Sequence, residues 1–175
     1  NYTHEHNKKL YVTVNSFTKN NEIEPLKDYA KMLYEIGADA VIVQDFAVAE
    51  AVKKICPTLP LHASTQMAVH NVSGAKFLEE LGFSRIVLAR ELSFQEIKTI
   101  REAIKAELEV FVHGAHCMGA SGNCYLSAML GERSGNRGLC AQPCRLPFKV
   151  QKGSGHDLSL KDLSIIEHIP QLAEM

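Results

Sequence analysis

Short apolar runs alternate with amphipathic stretches along most of the chain. The runs LYVTVN (10–15), AVIVQD (40–45), LPLHAS (59–64), RIVLAR (85–90) and LEVFVH (108–113) are rich in β-branched residues. That is the pattern of strands buried on both faces. The stretch PLKDYAKMLYEIGAD puts Leu26, Tyr29, Ala30, Leu33 and Ile36 at helical spacing and stops at Gly37. NVSGAKFLEELGFS repeats the design with Gly82 as its stop. SFQEIKTIREAI opens on Ser93 with Glu96 three residues later, a capping box. AVAEAVKKICP is a shorter helix closed by proline.

The predicted order is β-α-β-α-β-α-β-α-β, with strands roughly 20–30 residues apart, the rhythm of parallel βαβ units. A doubly wound sheet and a (β/α) barrel share this rhythm. Asn15, Asp45, Ser64-Thr65-Gln66, Arg90-Glu91 and His113 all fall at the C-terminal ends of successive runs. A barrel gathers its active site at that end. The expected fold class is therefore α/β, an incomplete TIM-type (β/α) barrel with parallel strands. Asp45, His62, Gln66, Arg90, Glu91 and His113 are the candidate pocket residues.

The rhythm breaks after the fifth run. Residues 1–113 read as a partial barrel and residues 114–147 as a loop rich in Cys, Gly and Asn. YLSAML (125–130) inside the loop fits one or two helical turns. A loop this long in a compact domain is usually functional. Residues 148–175 read as a hairpin around Gly153-Ser154-Gly155 and then a helix capped by Ser159, within the same domain. Five strands do not close an eight-stranded barrel, so the chain is expected to be a piece of a longer protein. Its exposed sheet edges are expected to drive self-association.

Bulk composition narrows the picture only modestly. The 175 residues carry a formal net charge of -1, 46% hydrophobic and 22% charged residues, values of an ordinary globular protein. No apolar run approaches the roughly 20 residues that span a bilayer, and the first residues lack a signal-peptide core. The expectation is a cytoplasmic protein without a membrane partner.

Four of the five cysteines fall within the loop: Cys117, Cys124, Cys140 and Cys144, spaced C-x6-C, fifteen residues, C-x3-C. In a reducing compartment clustered cysteines bind metal more often than they pair as disulfides. Zinc prefers C-x2-C knuckles, which are absent here. A [4Fe–4S] cluster accepts wider and less regular spacing, and Gly119, Gly122, Gly135 and Gly138 would let the backbone wrap it. Spacing favours the cluster and leaves zinc, reduced thiols and disulfides open. Cys117 beside His113 and His116 also admits a nucleophilic thiolate. Cys56 precedes a strand, at the opposite end, and is expected to pack as a small hydrophobe. Arg133, Arg137 and Arg145, with Lys149 and Lys152, form a basic stretch that would suit RNA phosphates.

The segment from Glu109 to Ser127, EVFVHGAHCMGASGNCYLS, closely resembles the signature of the collagenase-like peptidase family U-32. Glu109, Phe111, Gly114, Cys117, Gly122, Cys124 and Ser127 fit its spacing. NRGLCAQPCR at 136–145, LHASTQ, VLARELS and DLSLKDLS also resemble family segments. His116 stands where the family usually has an aliphatic residue, and Leu146 where many members have Trp. The resemblance implies a (β/α) barrel, of which the first two units and the closing part are missing here. It implies two activities: peptide hydrolysis, or hydroxylation of tRNA, ribosomal RNA or ubiquinone precursors. In the second branch four cysteines hold a [4Fe–4S] cluster; carried over, they are Cys117, Cys124, Cys140 and Cys144. The favoured expectation is an iron–sulfur enzyme of tRNA hydroxylation. Its competitors are a collagenase-like protease acting on peptides and a non-catalytic scaffold for a partner enzyme.

Overall fold

The computed structural model describes residues 2–149 and 151–175. One turn of helix, α1 (Tyr2–Glu5), leads into β1 (Tyr11–Val14). Four βα repeats follow: α2 (Ile23–Glu35), β2 (Ala40–Val43), α3 (Phe46–Ile55), β3 (Leu61–Ala63), α4 (Val72–Glu80), β4 (Phe83–Val87), α5 (Phe94–Ala103) and β5 (Glu107–Glu109). The strands form one parallel five-stranded sheet in sequence order, β1-β2-β3-β4-β5. Sequential order with a helix after each strand makes the sheet an arc of a TIM-type barrel.

Side chains alternate across each strand, which splits the sheet into two faces. One face supplies Val41, Val43, Leu61, Ala63 and Ile86 to the core, against Leu26, Ala30, Leu33, Val48, Val52, Ala75, Leu78, Ile97 and Ile100 of the helices. The other face carries the in-register row Thr13, Ile42, His62, Arg85 and Glu107. Arg85 there bonds Glu107 at 2.6 Å and Glu109 at 3.3 Å, and lies 4.9 Å over the Tyr11 ring.

Helix ends follow their sequence signals. Gly37 takes φ +80°, with its N–H donating to Tyr34 O and that of Ala38 to Leu33 O, a Schellman stop. The Ser93–Glu96 capping box is present. Tyr29 and Ile36, expected on the buried stripe of α2, are 41% and 49% exposed. At 3.6 residues per turn they lie roughly 60–80° from the Leu26–Ala30–Leu33 line, at the stripe's margin.

Three expectations for the later chain are corrected. The fifth run is strand only to Glu109; His113–Gly114 (β6) leaves the sheet and pairs antiparallel with Leu163–Ser164 (β7). Residues 148–160 hold no strand among the described residues. The Asp157 carboxylate closes a turn there, accepting from Ser154 N (3.1 Å) and Gly155 N (3.3 Å). Ser159 caps no helix, because the chain must stay extended to pair at β7; the last helix, α7, spans Ile169–Ala173. The short helix in the loop, α6 (Leu126–Gly131), forms as expected.

No helix among the described residues is long and apolar enough to cross a membrane. Among the described residues strands β1 and β5 each pair on one side only, and unpaired edges template association. The 175-residue chain is therefore expected to self-associate, with light-scattering mass rising with concentration; a constant monomer mass at high concentration would refute this.

Candidate functional site

Parallel strands deliver all their C-terminal ends to one rim. Asn15, Gln44-Asp45, Ser64-Thr65-Gln66 and Arg90-Glu91 stand just beyond β1, β2, β3 and β4. Part of this polar set holds the rim itself. Asp45 caps α3 by accepting from Ala47 N at 2.8 Å, and also accepts from Thr18 N (2.8 Å) and Thr18 Oγ1 (2.7 Å). Burial pushes its pKa up, but those hydrogen bonds outweigh burial and hold the carboxyl below its ordinary value. Asn15 Nδ2 donates to Ser64 Oγ at 3.2 Å.

The rest of the set fastens the cysteine loop across the rim. Ser121, 1% exposed, is the densest joint. Its N–H donates to Glu91 Oε1 at 2.9 Å and its hydroxyl to the same oxygen at 3.2 Å. The hydroxyl oxygen accepts from Arg90 N and Arg90 Nε, both at 3.2 Å. A second joint is buried Asn136, whose carbonyl accepts from Phe17 N and Gln44 Nε2, each at 2.9 Å. A third is Arg137, which grips the Glu22 carboxylate with two N–H groups (2.7 and 3.0 Å) and donates to Phe17 O at 2.7 Å. Within the loop, Ser127 Oγ accepts from Ala141 N at 2.9 Å and ties the Cys140 segment to α6.

Held this way, the loop encloses a cavity of about 170 Å³ whose wall contains Cys117, Cys124, Cys140 and Cys144, together with Gln66, Arg90 and Asn136. All four thiols are free, Cys140 exposed and the others partly so. Gln142 N–H donates to Cys140 Sγ at 3.4 Å. Two glycines are obligatory. A Cβ on Gly119 would sit 2.6 Å from the Cys124 Cβ, and one on Gly122 (φ +75°) 2.1 Å from Gln66 O. Among the described residues no three His, Cys, Asp or Glu side chains gather closely enough to hold a single metal ion; the four cysteines line one cavity. Cys56 lies apart as expected, buried, its Sγ 3.7 Å from Ala30 O, and burial raises its pKa.

The six pocket candidates are thus only partly gathered. Gln66 and Arg90 line the cysteine cavity. Glu91 braces Ser121, and Asp45 caps a helix. His62 sits lower, in the row facing away from the helices, with its ring edge-on to Tyr11 at 4.7 Å. Burial, reinforced by Arg85, lowers its pKa to about 4 and keeps it neutral at neutral pH; its Nδ1 is buried without a partner. His113 lines a neighbouring cavity with Arg90 and His116. Each arginine of the basic stretch is engaged inside the protein. Arg133 Nε donates to Leu139 O at 3.1 Å, Arg137 holds Glu22, and Arg145 donates to His116 O at 2.9 Å and Ser159 Oγ at 3.1 Å. Sequence reasoning assigned no role to Ser121, Gln44, Ser127 or Asn136. Their signal was available as small polar residues set between cysteines or at a strand end, but burial alone distinguishes them.

A parallel sheet in sequence order, with helices between its strands, marks the chain as a TIM-type barrel protein, and four cysteines line a cavity at its C-terminal rim. The sequence profile described as Peptidase family U32 matches residues 1–175, and the chain belongs to that family. It is 42% identical over 168 residues to the 23S rRNA 5-hydroxycytidine C2501 synthase of Escherichia coli (strain K12), covering 92% of this chain and 25% of that protein. It is 37% identical over 180 residues to the tRNA hydroxylation protein P1 of Bacillus subtilis (strain 168), covering 95% of this chain and 43% of that one. The chain thus spans less than half the length of these curated relatives. A solved structure, "The Structure of the U32 Peptidase Mk0906", superposes with a TM-score of 0.63 at 16% identity, over 94% of this chain and 66% of that one, which establishes the shared fold.

Two outcomes follow. Ser121→Ala removes a buried hydroxyl from Glu91 and Arg90, so stability should fall by about 1–3 kcal/mol. The loop thiols should then react faster with a thiol reagent; an unchanged rate would contradict the bracing role. Glu22 is held down at about 2, first by the Arg137 hydrogen bond and then by the Lys19 N–H. A depressed carboxylate stabilises the fold above its unfolded value of about 4.3 and loses that contribution as pH falls towards 2. Glu22→Gln should flatten the acid limb of denaturation between those values, as read by circular dichroism.

Proposed function

We infer that the intact protein is an iron–sulfur enzyme that hydroxylates a nucleobase of RNA, with tRNA the favoured substrate. The observation that carries this reading is the set of four free cysteines lining one cavity at the barrel rim. The donor set fits a [4Fe–4S] cluster: four cysteine ligands, close-packed glycine turns, and an N–H aimed at Cys140 Sγ. When bound, the cluster would supply one-electron chemistry that side chains cannot. The chain's own residues would hold it and orient it: Cys117, Cys124, Cys140 and Cys144 as ligands, Ser121, Glu91 and Asn136 as the fixtures of the loop. The names of the two relatives, one acting on 23S rRNA and one on tRNA, support RNA as the substrate class.

Peptide hydrolysis is the competing reading that the family name carries. A cysteine peptidase needs an imidazole within hydrogen-bond reach of its nucleophile. Among the described residues neither His113 nor His116 hydrogen-bonds Cys117 Sγ; both line the neighbouring cavity, while Cys117 lines the cysteine cavity. Zinc in place of the cluster would demand tighter convergence, with Zn–S near 2.3 Å.

The deciding measurement is iron and acid-labile sulfide on the full-length protein after anaerobic reconstitution. About four of each per chain are expected, with broad visible absorption that Cys117→Ala abolishes. Stoichiometric zinc, or no metal with peptide cleavage lost in Cys117→Ala, would overturn the reading.

A further inference from the structure

The cysteine cavity has a neighbour. A second cavity, of about 150 Å³, is lined by Arg90, Phe111, His113, His116 and Leu163, and it shares the Arg90 wall with the first. Apart from Arg90, which also braces Ser121, the side chains named here belong to no structural joint described above. Phe111, an aromatic between β5 and β6, is 47% exposed. His113 is exposed and His116 half-buried. The backbone beneath them is fixed. His113 N-terminal to the loop is pinned by pairing with Ser164, and the His116 carbonyl accepts from Arg145 Nη2 at 2.9 Å. Arg90 spends Nε on Ser121 and Nη2 on Gly119 O (3.4 Å), which leaves Nη1 without a protein partner among the described residues.

We propose that this second cavity seats a single unpaired nucleotide of the RNA substrate, the base stacked on Phe111 and its polar edge or phosphate held by His113, His116 and Arg90. The proposal rests on the RNA reading above and specifies how the substrate arrives. An enzyme acting on a base cannot reach it inside a duplex, so the base must come unpaired or be flipped out. An exposed aromatic face with adjacent hydrogen-bond donors is the chemistry that receives such a base. The cavity's volume suits one base rather than a base pair. The shared Arg90 wall sets that base beside the thiol-lined cavity.

The test uses the full-length protein, reconstituted anaerobically, and a labelled RNA hairpin with an unpaired pyrimidine loop, alongside a blunt duplex of the same stem. Binding is read by fluorescence anisotropy and iron content is measured for every variant. Wild type should prefer the hairpin. Phe111→Ala should weaken hairpin binding by about 5- to 160-fold, the range set by losing one base–aromatic stack. It should leave duplex binding and iron content unchanged, and Phe111→Trp should restore the hairpin preference. If Phe111→Ala does not fold, the His113→Gln/His116→Gln double variant should show the same selective loss. Hairpin binding equal to wild type in these variants, or equal losses on hairpin and duplex, would overturn the nucleotide seat and leave the RNA reading standing. Wild-type protein that binds neither RNA, or that binds a collagen-type peptide instead, would overturn both.

Discussion

A parallel ladder has a direction, and everything at this site depends on it. Because β1 to β4 run the same way and pair in sequence order, Asn15, Asp45, Ser64 and Arg90 leave their strands at one rim. A loop crossing that rim meets hydrogen-bonding groups from four separate strand ends. The 114–147 segment uses them: Ser121 engages the end of β4, Asn136 the ends of β1 and β2, and Arg137 the β1–α2 connection. An irregular chain rich in glycine becomes a defined wall because its polar groups are satisfied by the barrel beneath it rather than by a helix or ladder of its own.

Buried polar joints of this kind are all-or-none. The Ser121 hydroxyl contacts Arg90 and Glu91, residues that bring opposite charges to the same spot. Removing one member leaves the others short of partners in a place water reaches poorly. The design explains why so many polar signature residues serve geometry. Asp45, Glu91, Arg137 and Arg145 look like chemistry in the sequence and behave as fasteners in the fold, and the fasteners hold four thiols around one volume. The free chemical capacity of the rim is concentrated in a short list: the cysteines, Gln66, and the Arg90–Phe111–His113–His116 cavity beside them.

The sheet's other face sets a different problem. His62, Arg85, Glu107 and Glu109 cross three neighbouring strands as a polar row, with Tyr11 under the guanidinium. In a barrel this face points inward. His62 stays neutral there because burial and the Arg85 charge both oppose its protonation. Its place below the rim separates it from the cysteine cavity, although LHASTQ puts it only four residues before Gln66.

Local rules were enough for much of this protein. Apolar period, a capping box and glycine stops determined the βα order, since each depends on neighbours in sequence, and that order led to the expectation of a parallel sheet and its rim. The spacing of Cys117, Cys124, Cys140 and Cys144 likewise marked the loop before any coordinate did. Tertiary structure decided what local rules cannot reach. It ended β5 at Glu109 and drew His113 into a pairing with a strand fifty residues on. It also turned Arg137 towards Glu22, 115 residues away in sequence, instead of solvent. Which polar side chain becomes a ligand and which a fastener depends on partners distant along the chain, and only folding brings those partners within hydrogen-bond reach.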